Sequence, residues 1–356
     1  MAFNKTIFLT GFPGFIAERL VARMAAPDIQ FFLLVEERMK ETAMRSVERI
    51  AGNTGVPIEN FALIAGDITE PELGIDTQDL KAIKTETTDV FHLAAVYDLA
   101  VAENIAKAVN FEGTKKVNNF ACSLPNLKRY NYVSTCYVAG LRTGRILETD
   151  LEHNAGFRNY YEETKYLAEL DVEKLKAKIP TTIFRPSVVV GDSKTGETVK
   201  YDGIYYLIHY LRKAPALLRL VNVGNKNVRL NLVPVDFVVE GIAALSADDA
   251  AIGKTIALAD PSPLTTAELF DAIAEKMIGK GSVIKPPSAI VQNSLLLPVA
   301  PAVTGLPHSS VPYFFLAQTY DTAVANKLLN RHAVKCPDFR EYVGKMVDFV
   351  AAHPTL

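Results

Sequence analysis

The sequence predicts an α/β protein with a doubly wound parallel sheet, and three observations carry that reading. Short, nearly continuous apolar runs rich in Phe, Ile, Val and Leu recur along the first half, the form taken by strands buried on both faces. Amphipathic stretches with helical spacing separate them, so strand alternates with helix rather than with turn. A glycine-bearing turn joins the first apolar run directly to the first amphipathic one. Strand–helix–strand crossovers are right-handed, which places helices on both faces of one sheet.

Taken in order, 6–10, 30–35, 61–65, 89–94 and 129–134 read as strands, with helices over 15–25, 39–51, 103–122 and 160–178. Segment 181–190 reads as a further strand, after which the rhythm changes. Residues 191–203 are polar and glycine-bearing, an excursion from the sheet. Later strands near 229–259 (229–235 and 254–259) are expected to return to it, with helix 237–245 between them. From Pro261 onward helices and prolines dominate, ending in an amphipathic helix near 339–351. There is no internal repeat and no low-complexity linker. The division expected is a sheet domain over 1–190, joined by those later strands, and a mainly substrate-binding region with a lid over 191–356.

Composition narrows the function. At 356 residues the chain has room for about two units, at roughly 150 residues per domain. Lys+Arg 38 against Asp+Glu 40 gives a net charge of -2, which argues against nucleic acid as the main partner, because phosphate binding needs a cationic surface. The three cysteines, Cys122, Cys136 and Cys336, show no metal-ligand spacing; the expectation is a reduced, cytoplasmic protein with no metal. An apolar run over 6–17 follows Lys5, but Gly11, Pro13 and Gly14 interrupt it, so it reads as mature structure rather than a leader. Between Lys285 and Asp321 there is no Asp, Glu, Lys or Arg, and six prolines break the segment. Those prolines argue against a membrane span. The stretch 286–320 reads as an apolar tunnel wall, a lid, a membrane-surface contact or plain core. The lack of basic residues within it weakens the membrane option.

Gly11-Phe12-Pro13-Gly14-Phe15-Ile16-Ala17 follows the first strand and opens the first helix. Glycine lets the backbone turn tightly and approach a pyrophosphate, while the helix N-terminus offers free N–H groups and a positive dipole end. The spacing is GxxGxxA, and its strand–turn–helix context is what points to a dinucleotide. Glu36, at the tip of the second strand, is placed to accept hydrogen bonds from an adenosine ribose and repel a 2′-phosphate, which favours NAD. Arg38 favours NADP if its side chain folds inward, and the choice stays open. Asp67 and Ile68 close the third strand, where an acid meets the adenine amino group. Leu93, Ala94 and Ala95 close the fourth with residues small enough for backbone to approach a cofactor. His92 beside them reads as a satisfied core histidine.

Tyr161 and Lys165 stand four apart on one helix face, downstream of Thr135 at the end of the preceding strand. An ammonium and an oxidised nicotinamide both favour a phenolate. Such a tyrosine hands a proton to a carbonyl oxygen and is recharged through the lysine and ribose hydroxyls, while Thr135 hydrogen-bonds the same oxygen. Ser134 and Tyr160 are decoys; Tyr160 would pair with Thr164, which carries no charge.

These residues resemble the extended short-chain dehydrogenase/reductases, and within them the branch of fatty acyl-CoA reductases, male-sterility-type proteins and terminal reductase domains of carboxylic acid reductases and peptide synthetases. The match runs through 10–17, 66–68, 92–95, Asn110 with Gly113 and Thr114, 133–140, 161–169, 185–192, 233–236 and 336–339. The resemblance implies a Rossmann fold, Thr135, Tyr161 and Lys165 as the catalytic set, Asn110 among the site residues, and Pro186, Val188 and Val189 as backbone contacts to the nicotinamide. It also implies NADPH, against which Glu36 speaks. Reduction of an apolar acyl thioester, linked to CoA or a carrier, to aldehyde or alcohol is the implied reaction, or reduction of the aldehyde itself. A free-standing reductase is expected, and two helices near the sheet edge would support a homodimer. A nucleotide-sugar epimerase or dehydratase on the same scaffold would need arginine-bearing diphosphate contacts, which the uncharged segment does not offer. A non-catalytic dinucleotide sensor would have no use for the proton relay.

Overall fold

The computed structural model describes residues 3–213, 218–298, 300–301 and 306–356. Seven parallel strands form the central sheet: β1 (Lys5–Thr10), β2 (Ile29–Val35), β3 (Phe61–Ala65), β4 (Asp89–His92), β5 (Arg129–Val133), β7 (Thr181–Pro186) and β10 (Thr255–Leu258). Their order, β10-β7-β5-β4-β1-β2-β3, reverses direction at β1. Chain order runs outward to one side and then to the other, so a crevice opens beyond the carboxyl ends of β1 and β4.

Alternation along β1 explains the two-sided core. Ile7 and Leu9 join one apolar cluster with Leu20 and Val21 of helix α1 (Phe15–Met24) and Ile242 and Leu245 of a later helix (Val235–Ser246). Phe8, pointing the other way, joins Val117 and Phe120 of the helix Thr114–Cys122 and Ala168 and Val172 of the helix Tyr160–Leu175. All of these are buried.

Two expected elements are divided. Segment 181–190 is two strands, because Pro186 ends β7 without an N–H to extend the ladder. The chain then peels away as β8 (Val188–Val190) and pairs with β9 (Leu232–Pro234) in a separate two-stranded sheet. Of the two later strands expected to return to the central sheet, β10 does so beside β7, whereas β9 stays with β8. Helix 103–122 is interrupted by a π-helical stretch, Lys107–Gly113, a feature common at functional sites.

Ala325, Leu328 and Leu329 of the helix Ala323–Leu329 join the core on the α1 side, and other segments build a smaller lobe. Helices Ile204–Lys213, Thr266–Ile278 and Phe339–Ala352 pack around Leu207, Ile208, Phe270, Ile273, Tyr342 and Met346. The uncharged stretch contributes the helix Ser288–Leu295 and then β11 (Gln318–Tyr320), which pairs with β6 (Gly144–Ile146) and ties its end to the sheet domain. Positions 299 and 302–305 of that stretch lie outside the described residues. Among the described residues no helix is long and apolar enough to cross a membrane.

Candidate active site

A cleft of about 310 Å³ lies at the carboxyl ends of β1, β4, β5 and β7. Gly11 and Gly14 shape its phosphate end. Gly11 has φ +93°, and a Cβ there would stand 2.7 Å from the Ala94 backbone nitrogen. A side chain at Gly14 would stand 2.7 Å from the Gly11 carbonyl oxygen. Both positions therefore require glycine, the first for conformation and close approach, the second for approach. Gly14 is the N-cap of α1 and supplies no side-chain acceptor, so the amides of the first turn remain available to an external anion. Pro13 lies inside this turn after a cis bond from Phe12, while Phe15 and Ile16 line the cleft. Leu93, Ala94 and Ala95 pass opposite them, and Pro186, Val188 and Val189 form the far wall. The fold of these segments suits an extended dinucleotide.

Thr135, Tyr161 and Lys165 meet in the middle of the cleft. Thr135 caps a short 3₁₀ turn, its Oγ1 accepting from the Tyr137 amide at 3.1 Å, and its hydroxyl hydrogen-bonds the Tyr161 phenol. The helix Tyr160–Leu175 begins on Asn159, whose side chain accepts from the Glu162 amide at 3.0 Å; this fixes where Tyr161 emerges. Burial pushes the Tyr161 phenol above its ordinary range, with Thr135 pulling the other way. Loss of solvent outweighs that local hydrogen bond, so burial favours the protonated phenol. Burial lowers Lys165 to about 7, opposed by the Glu169 carboxylate. Its Nζ donates to the Val133 carbonyl at 2.9 Å and lies 4.4 Å from the centre of the Tyr132 ring.

A buried layer supports this set, and the sequence reading missed it. Glu169, one turn beyond Lys165, accepts from Arg185 Nε at 2.8 Å and Nη2 at 2.6 Å, and Ser134 donates to its other oxygen. Arg185 also donates to the carbonyls of Glu148 and Asp150, at 3.2 Å each. Ser134 is thus held by a carboxylate, and Tyr160 stands 40% exposed on the outside. The signal available was spacing: an acid at plus four from the lysine, and an arginine one residue before Pro186. His92 is a satisfied core histidine, bridging Thr10 at 2.8 Å and Thr114 at 2.9 Å, and burial holds it neutral at about 3.

Five further expected cofactor residues stand away from the cleft lining. Asn110, buried in the π-helical stretch, accepts from the Val96 amide at 2.8 Å and donates to Thr164 at 3.2 Å. It pins the loop after β4 to the helix Tyr160–Leu175. Ile68 packs in the core against Gly113, and Asp67 accepts from the Thr69 amide at 2.7 Å. At the tip of β2, Glu36 pairs with Arg38 at 2.6 Å in the open. The two residues that argued for different cofactors neutralise each other.

Beyond Tyr161 the cleft continues toward the small lobe. Tyr97, edge-on to Tyr161 with centroids 5.2 Å apart, and Tyr137 border both the cleft and a second cavity of about 80 Å³. Tyr206 and Phe314 separate that cavity from a third of about 40 Å³, walled by Leu207, Val223, Leu295 and Leu306. The uncharged stretch is fastened to the helix Tyr160–Leu175 by Tyr313, which donates to Glu162 at 2.6 Å and accepts from Asn159 at 2.8 Å. Tyr313 is thus an anchor, while Phe314 reaches cavity walls.

Comparison with known proteins agrees with this geometry. The sequence model of the male sterility protein family, an NAD-binding family, matches residues 9–242. The chain is 25% identical over 284 residues to the fatty acyl-CoA reductase wat of Drosophila melanogaster, covering 69% of this chain and 54% of that one. It is 26% identical over 320 residues to the non-canonical nonribosomal peptide synthetase FrzA of a Cladobotryum species, covering 83% of this chain and 31% of that protein. It therefore spans about half the length of the fly relative and under a third of the synthetase. The terminal R domain from the myxalamid PKS-NRPS biosynthetic pathway has the same fold, with a TM-score of 0.81 at 22% identity over 100% of this chain and 92% of that one. The chain belongs to the male sterility protein family, within the branch of extended short-chain dehydrogenase/reductases that holds fatty acyl-CoA reductases and terminal reductase domains.

Proposed function

We propose that the protein is an NAD(P)H-dependent reductase of an apolar acyl thioester, carried on CoA or a carrier, with Thr135, Tyr161 and Lys165 as its catalytic residues. The carrying observation is the order of the cavities: the Tyr161 side chain lines a cleft that shares Tyr97 and Tyr137 with a mixed cavity bearing Asp98, Lys200 and Asp202, and beyond Tyr206 and Phe314 lies an apolar one. A bound NAD(P)H supplies hydride to the carbonyl carbon. Tyr161, holding its proton, gives it to the carbonyl oxygen while Thr135 donates a hydrogen bond to that oxygen. Lys165, near its own titration point, returns a proton toward Tyr161. The resulting hemithioacetal loses the thiol and leaves an aldehyde.

The walls of the distal cavity favour an alkyl chain over a sugar diphosphate. Leu207, Val223, Leu295, Leu306 and Phe314 carry no charge, and apolar pockets with a few placed polar groups are the form of small-molecule sites. The test is oxidation of NADPH and of NADH with a long-chain acyl-CoA, the matching aldehyde and a UDP-sugar in parallel. Turnover with the acyl-CoA is expected. Turnover with the aldehyde alone would make the protein a carbonyl reductase, and turnover with the UDP-sugar alone would overturn the proposal.

A further inference from the structure

The small lobe joins two stretches that are far apart in sequence and share one electrostatic property. Residues 203–235 contain Arg212, Lys213, Arg219, Lys226 and Arg229, and residues 276–320 contain Lys276, Lys280 and Lys285; neither stretch contains a single Asp or Glu. The whole chain, by contrast, carries 38 cations and 40 acids. Backbone bonds stitch the two stretches together: the Asn222 amide donates to the Ile284 carbonyl at 2.8 Å, and the Val283 and Ile284 amides donate to Leu220 at 2.9 and 3.0 Å. Val223 then packs beside Val291 and Leu295. The bonds set Leu220, next to Arg219, against residues 283–284, just before the uncharged stretch.

The same lobe carries a concentration of exposed apolar groups. Among the described residues sixteen large apolar side chains are exposed, and five of them, Val283, Ile284, Ile290, Leu296 and Leu297, fall within fifteen residues. Scattered exposed leucines are ordinary, whereas a cluster marks a contact surface. Val291 and Leu295 face inward from the helix Ser288–Leu295. Helical spacing puts Ile290 and the flanking Leu297, seven positions apart, together on an outward flank. Val283 is 72% exposed, beside exposed Lys280 and Lys285. The nearby acids stand on the helix Thr266–Ile278. Asp271 is engaged by Ser282, Asn222 and Lys285, and Glu275 lies against Gly281.

We propose that this face docks on an anionic lipid bilayer, with Ile290, Leu296, Leu297, Val283 and Ile284 entering the headgroup region and the flanking cations meeting lipid phosphates. Apolar side chains flanked by Lys280 and Lys285 match both components of such a surface. Position supports it too. Leu295, whose neighbours Leu296 and Leu297 are exposed, walls the distal apolar cavity, so the docking face lies beside it. The docking itself does not depend on which carbonyl is reduced.

The experiment is co-sedimentation of the protein with vesicles of phosphatidylcholine, and with vesicles in which phosphatidylserine replaces about a third of it. Expected is binding to the anionic vesicles at least about tenfold tighter than to the neutral ones, released at about 0.5 M salt. Ile290→Ser with Leu297→Ser, and separately Lys280→Glu with Lys285→Glu, should each weaken it about tenfold or more. Dinucleotide binding and helical content serve as folding controls, and the charge pair carries the test if the apolar pair misfolds. No sedimentation with either vesicle overturns the proposal, as does binding that ignores lipid charge. Conversion of a dimer to a monomer by the apolar pair would make this face a contact between two copies, and would also overturn it.

Discussion

The two halves of the site are built by opposite means. On the dinucleotide side, geometry comes from local sequence: a strand, a turn of two required glycines and a helix, followed by Tyr161 and Lys165 one turn apart. Two buried polar clusters there are answered in kind, Glu169 by Arg185 and Ser134, His92 by Thr10 and Thr114. On the substrate side no short motif operates. Its walls are gathered from residues 97–99, 137, 188, 200, 202–203, 206, 230 and 313–314, and its distal end is lined mostly by carbon. The contrast teaches that chemistry is encoded where few residues need one geometry, and selectivity where many residues need only bulk and absence of charge.

Substitutions can break each half separately. The largest effect is expected from Tyr161→Phe, which removes the proton donor and should lower reductive turnover by about a thousandfold, measured by cofactor oxidation. Dinucleotide affinity should stay within about twofold, which places the loss on the chemistry. Gly11→Ala strikes the other element of the same half: its methyl group would meet the Ala94 backbone at 2.7 Å in a positive-φ conformation. Dinucleotide Kd by titration should rise at least about tenfold, and a normal Kd would show that the turn does not hold the pyrophosphate.

The pH profile sharpens the account of the relay. Lys165 is lowered to about 7, so its charged, proton-donating form is full below that pH and lost above it. Reductive kcat should fall as pH rises through about 7, and Lys165→Met should flatten the profile at a low rate. A profile flat from pH 6 to 9 in the unaltered protein would remove Lys165 from the relay. On the substrate side, Phe314→Ala should join the distal apolar cavity to the mixed one that Phe314 separates from it. Preference should move several-fold toward longer acyl chains with dinucleotide binding unchanged. The smallest change is expected at the strand tip. Glu36→Arg breaks the pair with Arg38 and should shift the NADPH to NADH ratio of kcat/KM a few-fold toward NADPH.

Legibility in the sequence followed the same division. Strand periodicity and the turn sufficed for the parallel sheet, because each strand is apolar on both faces over a short run. The meeting of Thr135, Tyr161 and Lys165 in one cleft was readable because two of them share a helix face and the third ends a strand. The split at Pro186 was hidden by the valines after it, which continue the β pattern while pairing elsewhere. Glu169 and Arg185 look like surface charges in sequence and are buried only because they meet across sixteen residues. The basic character of the small lobe was invisible for the same reason: residues 286–320 hold no cation, and the neighbouring stretch that does lies some seventy positions earlier.

The measurement that tests the central claim most directly is kcat/KM for acyl thioesters of increasing chain length with the preferred dinucleotide. If the cleft and the cavities beyond it form one site, kcat/KM should rise about three- to fourfold per added CH₂ until the distal cavity is filled, and then level off. An acetyl thioester reduced as efficiently as a long-chain one would contradict the account, since the cavities would then take no part in binding the substrate.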